Sequence, residues 1–269
     1  MNRRLLAVAG LVFLMLTSGC LGFFGASDVP DEQLNEPPAE PYDWDTDRDA
    51  YIVVHENTTF QAVYRTNETR MELFRRDGFG GTNSIPVSAL RVRYPNGTVV
   101  QGAELRERGG NVTSSRDEVV VERPDDIPNG TVWQLGVTSE SSPKRFALPT
   151  FVKGSYEVVL PPDRRVDFPV FGTVRPPGSE TSVDEQSRTH IVWSGDNEVS
   201  ADSIAVQFYL QRDLTIFAGI ALLLTLVGGG GLLYYRRQIQ QLRERREELG
   251  LDVETEDDDL DQGPPPGMR

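Results

Sequence analysis

Residues 214–235 form one apolar stretch, and this stretch constrains the chain more than any other feature. Its sequence, LTIFAGIALLLTLVGGGGLLYY, contains no ionisable side chain apart from the two terminal tyrosines. At a rise of about 1.5 Å per residue a helix of this length spans roughly 33 Å, enough to cross a hydrocarbon core about 30 Å thick. The stretch therefore predicts a transmembrane helix, since the buried helix of a soluble protein seldom runs this long without a charge.

Five arginines follow the stretch and predict which way it faces. They are Arg236, Arg237, Arg243, Arg245 and Arg246. A basic cluster beside a spanning helix marks the cytoplasmic side, so residues 51–212 are expected outside the cell and the C-terminus in the cytoplasm. Residues 236–250 are predicted to form a basic juxtamembrane helix that ends at Gly250 as its C-cap, and the acidic residues 251–269 a disordered tail.

The N-terminus has the pattern of an export signal. Residues 1–19 join a basic start to a short apolar run, as a signal peptide does. The one cysteine of the chain, Cys20, follows in a context that resembles the lipobox of secreted lipoproteins, which implies lipidation of Cys20 by a diacylglyceryl group. Thr17 stands where a lipobox usually has leucine, so an uncleaved signal anchor is the alternative. The export route stays open, because the match to a twin-arginine signal is partial.

Residues 20–50 mix prolines with acidic side chains and are predicted to be a lipid-anchored stalk. A segment of this composition cannot bury enough apolar surface to order itself. The alternating carboxylates of residues 43–49 resemble the start of a calcium-binding loop, but Arg48 replaces the glycine of that loop and Val54 replaces its closing glutamate. A solvated acidic linker is therefore the preferred interpretation.

Residues 51–212 carry the period-two pattern of β-strands. In residues 88–94, for example, Leu90, Val92 and Tyr94 alternate with arginines and share one face. Further strands are predicted at residues 98–100, 118–122, 132–138, 156–160, 189–193 and 203–210. Short strands between Gly, Pro and Asn clusters predict an all-β, sandwich-like ectodomain beside the single transmembrane helix. A break near residues 139–149 leaves open whether there is one sandwich or two small ones.

Five Asn-x-Thr sequons lie in the β region, and none lies after the apolar stretch. The N-glycosylation candidates are Asn57, Asn67, Asn96, Asn111 and Asn129. Each tripeptide is weak evidence alone, but their placement at turns fits an exported, glycosylated domain.

The charge of the chain limits its partners and its environment. There are 41 acidic and 27 basic residues, a net charge of −14, and only two lysines. An acidic, lysine-poor surface keeps a protein hydrated and dispersed at very high salt, which predicts a halophilic source. Nucleic acid is not expected as a partner, because no basic face is visible outside the arginines that follow the helix.

No motif for catalysis, cofactor binding or metal binding is recognisable in the sequence. The metalloprotease, nucleophile-elbow, Walker and Rossmann patterns are all missing, and a single cysteine provides no metal cage. His190 lies in a strand beside Trp193, where a packed or edge histidine is the ordinary outcome. The carboxylate pairs at residues 125–126 and 184–185 are expected at a solvated surface. We therefore expect no enzyme, no cofactor and no metal site.

Three parts of the chain carry a resemblance to a known family. They read RYPNGTVV at residues 93–100, SYEVVLPP at residues 155–162, and YLQRD at residues 209–213 with YYRRQ at residues 234–238. These stretches resemble an uncharacterised family of haloarchaeal, membrane-anchored, lipoprotein-like proteins with a domain of unknown function. The resemblance implies a location in the envelope of a halophilic archaeon, and it brings neither an activity nor site residues.

The sequence thus predicts a cell-surface β-domain that acts as an envelope structural or interaction module, with other envelope proteins as partners. One alternative is a surface sensor that signals through the transmembrane helix and the tail. A weaker alternative is an extracellular hydrolase or carbohydrate-active domain. Within the helix, the small residues Ala221, Thr225 and Gly229 share one face and predict a homodimer through helix packing. The alternative is that this face contacts only lipid.

Overall fold

The computed structural model describes residues 25–195 and 198–250. It divides the chain into two compact units, of which the first ends at Gln211 and the second begins at Arg212. The predicted signal peptide, Cys20 and residues 251–269 lie outside the described residues, so the expectations about them stay predictions.

The first unit consists mainly of β-strands. The strands are β1 (Ser27–Asp28), β2 (Ala50–Val54), β3 (Thr59–Thr66), β4 (Arg70–Arg76), β5 (Thr82–Ser84), β6 (Ser88–Arg93), β7 (Val99–Gln101), β8 (Asn111–Ser114), β9 (Val119–Glu122), β10 (Trp133–Glu140), β11 (Arg145–Pro149), β12 (Tyr156–Val159), β13 (Arg164–Arg165), β14 (Thr173–Arg175), β15 (Glu180–Val183), β16 (Thr189–Trp193), β17 (Ser203–Gln207) and β18 (Tyr209–Leu210). A short α-helix, Asp31–Leu34, precedes β2, and a 3-10 helix, Gly102–Arg108, follows β7. Each stretch predicted to be a strand overlaps at least one, which confirms the β-domain.

The strands form one large sheet and three smaller ones. The eight-stranded sheet has the order β15-β16-β12-β2-β3-β10-β6-β7, and the five-stranded sheet the order β1-β8-β9-β4-β5. The smaller sheets are β11-β17-β14 and β13-β18. In the large sheet β12 runs parallel to β2. β12 pairs antiparallel with its other neighbour, β16, and β2 pairs antiparallel with β3. This parallel pair joins an early strand of the chain to a late one.

Alternating strand residues of these sheets meet in one hydrophobic core. Trp133, Leu135 and Val137 of β10 are all buried on one face, as the period-two pattern predicts. Leu73 of β4 and Val121 of β9 bring the five-stranded sheet into the same core. Full burial of one such side chain contributes about 1.5–3 kcal/mol. Because the core and the large sheet both continue past residues 139–149, the chain forms one β-domain and not two small sandwiches.

The prediction of a stalk is wrong for the part of it that the structure describes. Val29, Leu34 and Tyr42 are buried in the β-domain, and β1 pairs with β8. The prediction failed because the prolines and acidic residues dominate the composition of residues 20–50. The three apolar side chains are far apart in the sequence and show no periodic pattern. We call residues 29–49 the strap, because side chains of β6 and β10 hold them across the eight-stranded sheet by hydrogen bonds to their backbone.

The strand predicted at residues 203–210 is broken in two. β17 ends at Gln207, the Phe208 N–H donates to Lys144 O at 3.1 Å, and β18 then pairs with β13. Phe208 and Tyr209 are consecutive and both buried, so the alternation of faces fails there. The strand breaks because the backbone after Phe208 pairs with β13 and no longer with the partners of β17.

The described part of the second unit forms one helix, Gln211–Glu248, whose first residue is the last of the first unit. The most apolar 18-residue window of its span Gln211–Arg246 has a mean hydropathy of 2.2, and none of that window is buried. Among the described residues this is the one helix long and apolar enough to cross a membrane. It continues without a break through the predicted juxtamembrane segment, and Gly250, with φ of 65°, adopts the left-handed conformation of a helix C-cap.

Candidate functional site

The side chains that point away from the core on the eight-stranded sheet form a polar face, and the strap lies across it. Its members include Arg65, Arg91, Arg93, Gln134, Glu157 and His190. Arg91 Nη1 donates to Leu34 O at 3.0 Å, and Arg93 Nη1 donates to Trp44 O at 2.9 Å. Gln134 Nε2 donates to the same Trp44 carbonyl at 2.9 Å. The arginines that alternate with the core residues of β6 therefore bind the backbone of the strap.

A glycine in the sheet allows the strap to approach closely. The rings of Tyr42 and Trp44 contact each other edge to face, with centroids 5.4 Å apart, and both lie over Gly136 of β10. A Cβ atom at Gly136 would lie 2.7 Å from Trp44 Cη2 and 2.9 Å from Tyr42 Cδ2. The Tyr42 hydroxyl donates to Ala89 O at 2.8 Å. Any larger residue at position 136 would push these rings off the sheet.

A histidine between two carboxylates occupies the other end of the polar face. His190 Nδ1 lies 2.8 Å from Glu157 Oε1, and its Nε2 lies 3.1 Å from Asp184 Oδ2. The second oxygen of Glu157 accepts from Arg48 Nε of the strap at 3.2 Å. Arg188 Nε donates to Asp184 Oδ2 at 2.8 Å. These five residues, which we call the His190 network, join β12, β16, the turn after β15 and the strap.

The pairing of the sheet explains how the His190 network forms. His190 is opposite Val159 across β12 and β16, so Glu157, two residues away, projects from the same face as its diagonal neighbour. The turn between β15 and β16 closes on Asp184, whose Oδ1 accepts from the Arg188 N–H at 2.8 Å. The two carboxylates thus reach the imidazole from opposite sides.

The geometry of the His190 network favours a structural role over proton transfer. Both nitrogens of His190 are engaged, so neither faces a group that would serve as a substrate. In residues 25–195 and 198–250, no serine, threonine or tyrosine hydroxyl hydrogen-bonds to this ring.

Burial and neighbouring charges shift the pKa of two groups in this region. Burial acts to raise the pKa of the Asp184 carboxyl, but the Arg188 N–H, His190 and the Arg188 guanidinium outweigh it and hold the pKa below its ordinary value. Burial, followed by the negative charge of Glu157, raises the pKa of the Tyr51 hydroxyl. Asp184 is therefore not the solvated surface carboxylate that the sequence predicted, since His190 and Arg188 hold it.

Two cavities adjoin the His190 network and share Arg188. One, of about 240 Å³, is lined by Tyr51 and Gln61 among others, and the second, of about 450 Å³, by His55. His55 Nε2 lies 2.8 Å from Gln61 Oε1, so the second histidine is also engaged. Within the described part of the chain, no three side chains of His, Cys, Asp or Glu are arranged to hold a metal ion.

The carboxylates singled out in the sequence do not converge. Asp45 accepts from Arg93 Nη1 at 2.9 Å, whereas Asp49 Oδ2 accepts from the N–H and the hydroxyl of Ser155, each at 2.9 Å. These acidic side chains of the strap therefore pair with the sheet and do not wrap a common centre. In the pair at residues 125–126, Asp126 accepts from the Tyr94 hydroxyl at 2.8 Å.

The glycosylation candidates differ in accessibility. Asn57, Asn67, Asn96 and Asn129 are exposed in turns. Asn111 is partly buried as the first residue of β8, and its Oδ1 accepts from Arg106 Nε at 3.2 Å. The structure therefore separates four exposed sequon asparagines from one that is partly buried in a strand.

The small residues of the C-terminal helix keep the spacing that the sequence indicated. Ala221, Thr225 and Gly229 lie four residues apart in one continuous helix. The Thr225 hydroxyl donates to Ala221 O at 2.8 Å, so its proton is used within the helix. Association through this face stays a prediction.

Sequence reasoning missed the partners of His190 and the role of Arg48. Glu157, Asp184 and Arg48 are far apart in the chain or lie in segments interpreted as surface. The sequence did contain one indication of this contact. Glu157 is the charged residue among the apolar residues of β12, and His190 points outward from the neighbouring strand β16. A carboxylate and an imidazole at outward positions of neighbouring strands indicate a contact.

Comparison with known proteins places the chain in a family without assigning an activity. The model of the family described as "Family of unknown function (DUF5803)" matches residues 46–254. No curated protein matches the chain. Because the match covers most of the sequence, the chain belongs to this family.

Proposed function

We propose that this member of the DUF5803 family is a membrane-anchored β-domain at the cell surface that acts as an envelope structural or interaction module. The observation that carries the proposal is the C-terminal helix, whose most apolar window is not buried at all. Apolar surface of that length is stable in a hydrocarbon core, where the helix satisfies its own backbone hydrogen bonds.

The distribution of charge and sequons supports an external β-domain. The arginine cluster follows the helix, which favours a cytoplasmic C-terminus. Four exposed sequons in the β-domain fit passage through an export pathway. Lipidation of Cys20 would add a second anchor at the opposite end of the β-domain sequence.

The state of the two histidines supports a binding or structural role rather than an enzymatic one. His190 is held between two carboxylates, and His55 is held by Gln61. A general base needs a nitrogen free to accept a proton from the substrate. We therefore propose no catalytic role for this domain.

Membrane insertion can be tested by changing the apolar stretch. The double variant Leu223→Arg/Leu224→Arg places two charges in the helix centre, each costing about 2.5–3.5 kcal/mol for insertion. With residues 1–24 deleted from every variant, so that neither Cys20 nor an uncleaved signal holds the protein, it should leave the membrane fraction after an alkaline carbonate wash, whereas the parent remains. Leu249→Arg, which adds a charge beyond the span, is the matched control and should remain in the membrane. Retention of the double variant would reject the anchor.

Orientation requires a separate test. Protease added to intact cells should remove an epitope in the β-domain and spare a tag placed after Arg269. Loss of the C-terminal tag, with the β-domain protected, would reverse the proposed orientation.

One observation favours the sensor as a second candidate function. The helix runs without interruption from Gln211 to Glu248, so a rotation or displacement in the membrane would be carried into the basic segment. Crosslinking in native membranes distinguishes the two candidates. Cytoplasmic proteins captured by residues 236–250 favour the sensor, and capture of envelope proteins alone favours the structural module.

A further inference from the structure

A cleft of about 550 Å³ lies on the polar face, at the end opposite the His190 network. Its walls are strap residues 44–46, the turn at residues 94–97 and residues 131–132 before β10. Its volume is within the range of small-molecule sites. No sequence motif pointed to it.

Three polar side chains form a row across this cleft. Gln134 of β10 is paired with Arg65 of β3 on one side and with Arg93 of β6 on the other. Paired residues of neighbouring strands project from the same face about 5 Å apart, so the two guanidinium groups flank the amide. Arg93 is already bound to Asp45 and to the Trp44 carbonyl, and Gln134 is bound to that same carbonyl.

Arg65 differs from the other partly buried arginines. Across residues 25–195 and 198–250, it is the one partly buried arginine whose guanidinium makes no hydrogen bond and no ion pair. Other unpaired arginines of the β-domain, such as Arg116, are exposed to water. A guanidinium that has lost part of its hydration and gained no partner is stabilised by an anion that fills its fork of N–H donors.

The remaining groups of the cleft indicate which kind of molecule carries the anionic group. Trp44 is partly buried and gives the cleft an aromatic wall, against which the C–H face of a sugar ring can pack. The Asp45 side chain is 87% exposed and uses only Oδ1 for Arg93, so it can accept hydrogen bonds from hydroxyl groups. Thr131 adds a hydroxyl. The carboxylate of Asp45 disfavours a group such as phosphate that places two negative charges at one point, whereas each residue of a uronic acid saccharide brings one negative charge and several donors.

We propose that the cleft binds a saccharide that contains a uronic acid. The sugar carboxylate pairs with Arg65, its hydroxyls donate to Asp45, and its ring packs on Trp44. The proposal rests on the function proposed above, because it names the ligand class through which the surface module makes its contacts.

The experiment uses the full chain in detergent micelles, prepared from a host that does not glycosylate it. Trigalacturonate is titrated, and galactotriose serves as the neutral counterpart. The tryptophan fluorescence reports the cleft, because Trp133 and Trp193 are 1% and 0% exposed and Trp44 is the third tryptophan. We expect saturable binding of trigalacturonate and a response to galactotriose at least tenfold weaker.

Matched variants test the role of Arg65. Arg65→Gln should weaken trigalacturonate binding at least tenfold, while Arg116→Gln, which makes the same charge change at an exposed arginine, should stay within twofold of the parent. Arg65→Lys keeps the charge and loses the planar fork, so it should bind more weakly than the parent and more tightly than Arg65→Gln. It also provides the test of the site should Arg65→Gln fail to fold.

Several outcomes would overturn the proposal. They are equal binding of the neutral sugar, unchanged binding by the Arg65 variants, no binding of trigalacturonate, or competition by acetate at the same concentration. Membrane retention of the same protein is measured in parallel. Loss of sugar binding with full retention removes this ligand and leaves the membrane-anchored module, whereas failure of retention removes the module itself.

Discussion

His190 Nδ1 lies 2.8 Å from Glu157 Oε1, and this contact connects β16 to β12 on the polar face of the large sheet. The other oxygen of Glu157 accepts from Arg48 of the strap, so one carboxylate holds both a neighbouring strand and the N-terminal segment. Since the Glu157 side chain is only 15% exposed, water replaces these partners poorly. The His190 network therefore joins the start of the domain to its later strands.

Loss of the Glu157 charge should destabilise the β-domain. Glu157→Gln leaves Arg48 and His190 facing an uncharged amide, and a hydrogen bond to a charged group contributes about 1.5–3 kcal/mol. We expect the melting temperature of the full chain in detergent to fall by several degrees. Glu72→Gln is the control, because it breaks the exposed pair with Arg70, and such pairs contribute about 0–1 kcal/mol. Equal effects of the two variants would contradict a role for the network.

The strap should contribute to stability at neutral pH and lose that contribution at high pH. Burial, partly offset by the hydrogen bond with Thr138, raises the pKa of the Tyr42 hydroxyl to about 12. A pKa raised from 10.0 gives a contribution that is complete below pH 10 and lost as the pH rises toward 12. Tyr42→Phe should cost about 0.5–1.5 kcal/mol at neutral pH, and the difference from the parent should shrink above pH 10.

Chemical denaturation from pH 8 to about pH 12 measures this difference. Tyr235→Phe, which removes an exposed hydroxyl, should leave the profile unchanged. A Tyr42→Phe profile that stays parallel to the parent at all pH values would mean that the strap is not held by this hydroxyl.

The strands were predictable because each buries one face. Residues 133–137 show this, since every second side chain is apolar and the structure buries those same residues. The strap was not predictable from composition, because composition averages over a whole segment. Leu34 and Tyr42 are single buried residues among acids and prolines, so they barely change that average. The contacts of the polar face depend on strand register, which sequence spacing does not give. Arg65 and Arg93 become neighbours of Gln134 only once β3, β10 and β6 are paired.

The acidic surface should make stability depend on salt. With a net charge of −14, self-repulsion is strong at low ionic strength, and screening should relieve it. We expect the melting temperature to rise by at least about 5 °C between about 0.1 M and about 3 M KCl. Sucrose is the control, because it stabilises by exclusion from the surface without screening. A melting temperature that does not change with KCl would contradict a halophilic protein.

The five sequons should not be modified equally in the native host. Asn111 Nδ2 lies 3.4 Å from Asp28 Oδ1, and its Oδ1 accepts from Arg106, so a glycan on this nitrogen would displace β1 from its partner. Asn57 is exposed in the turn after β2. Mass spectrometry of peptides should find Asn57 occupied and Asn111 bare. Asn57→Gln should remove one glycan and Asn111→Gln none, and full occupancy of Asn111 would contradict this order.

Helix association offers the last test, and it bears on whether the β-domain can signal inward. Ala221, Thr225 and Gly229 present small side chains on one face of the C-terminal helix, where close approach of a second helix in a membrane gains packing. Because the Thr225 hydroxyl already donates within the helix, shape rather than a new hydrogen bond must drive the association. Gly229→Leu should therefore abolish dimer crosslinking in membranes.

Leu222→Ala is the control for this face, because it removes side-chain volume from a neighbouring position and keeps the small residues intact. It should crosslink as the parent does. Equal crosslinking of Gly229→Leu, Leu222→Ala and the parent would leave Ala221, Thr225 and Gly229 in contact with lipid. In that case the helix acts as an anchor alone, and a signal from the β-domain would require a second membrane protein to receive it.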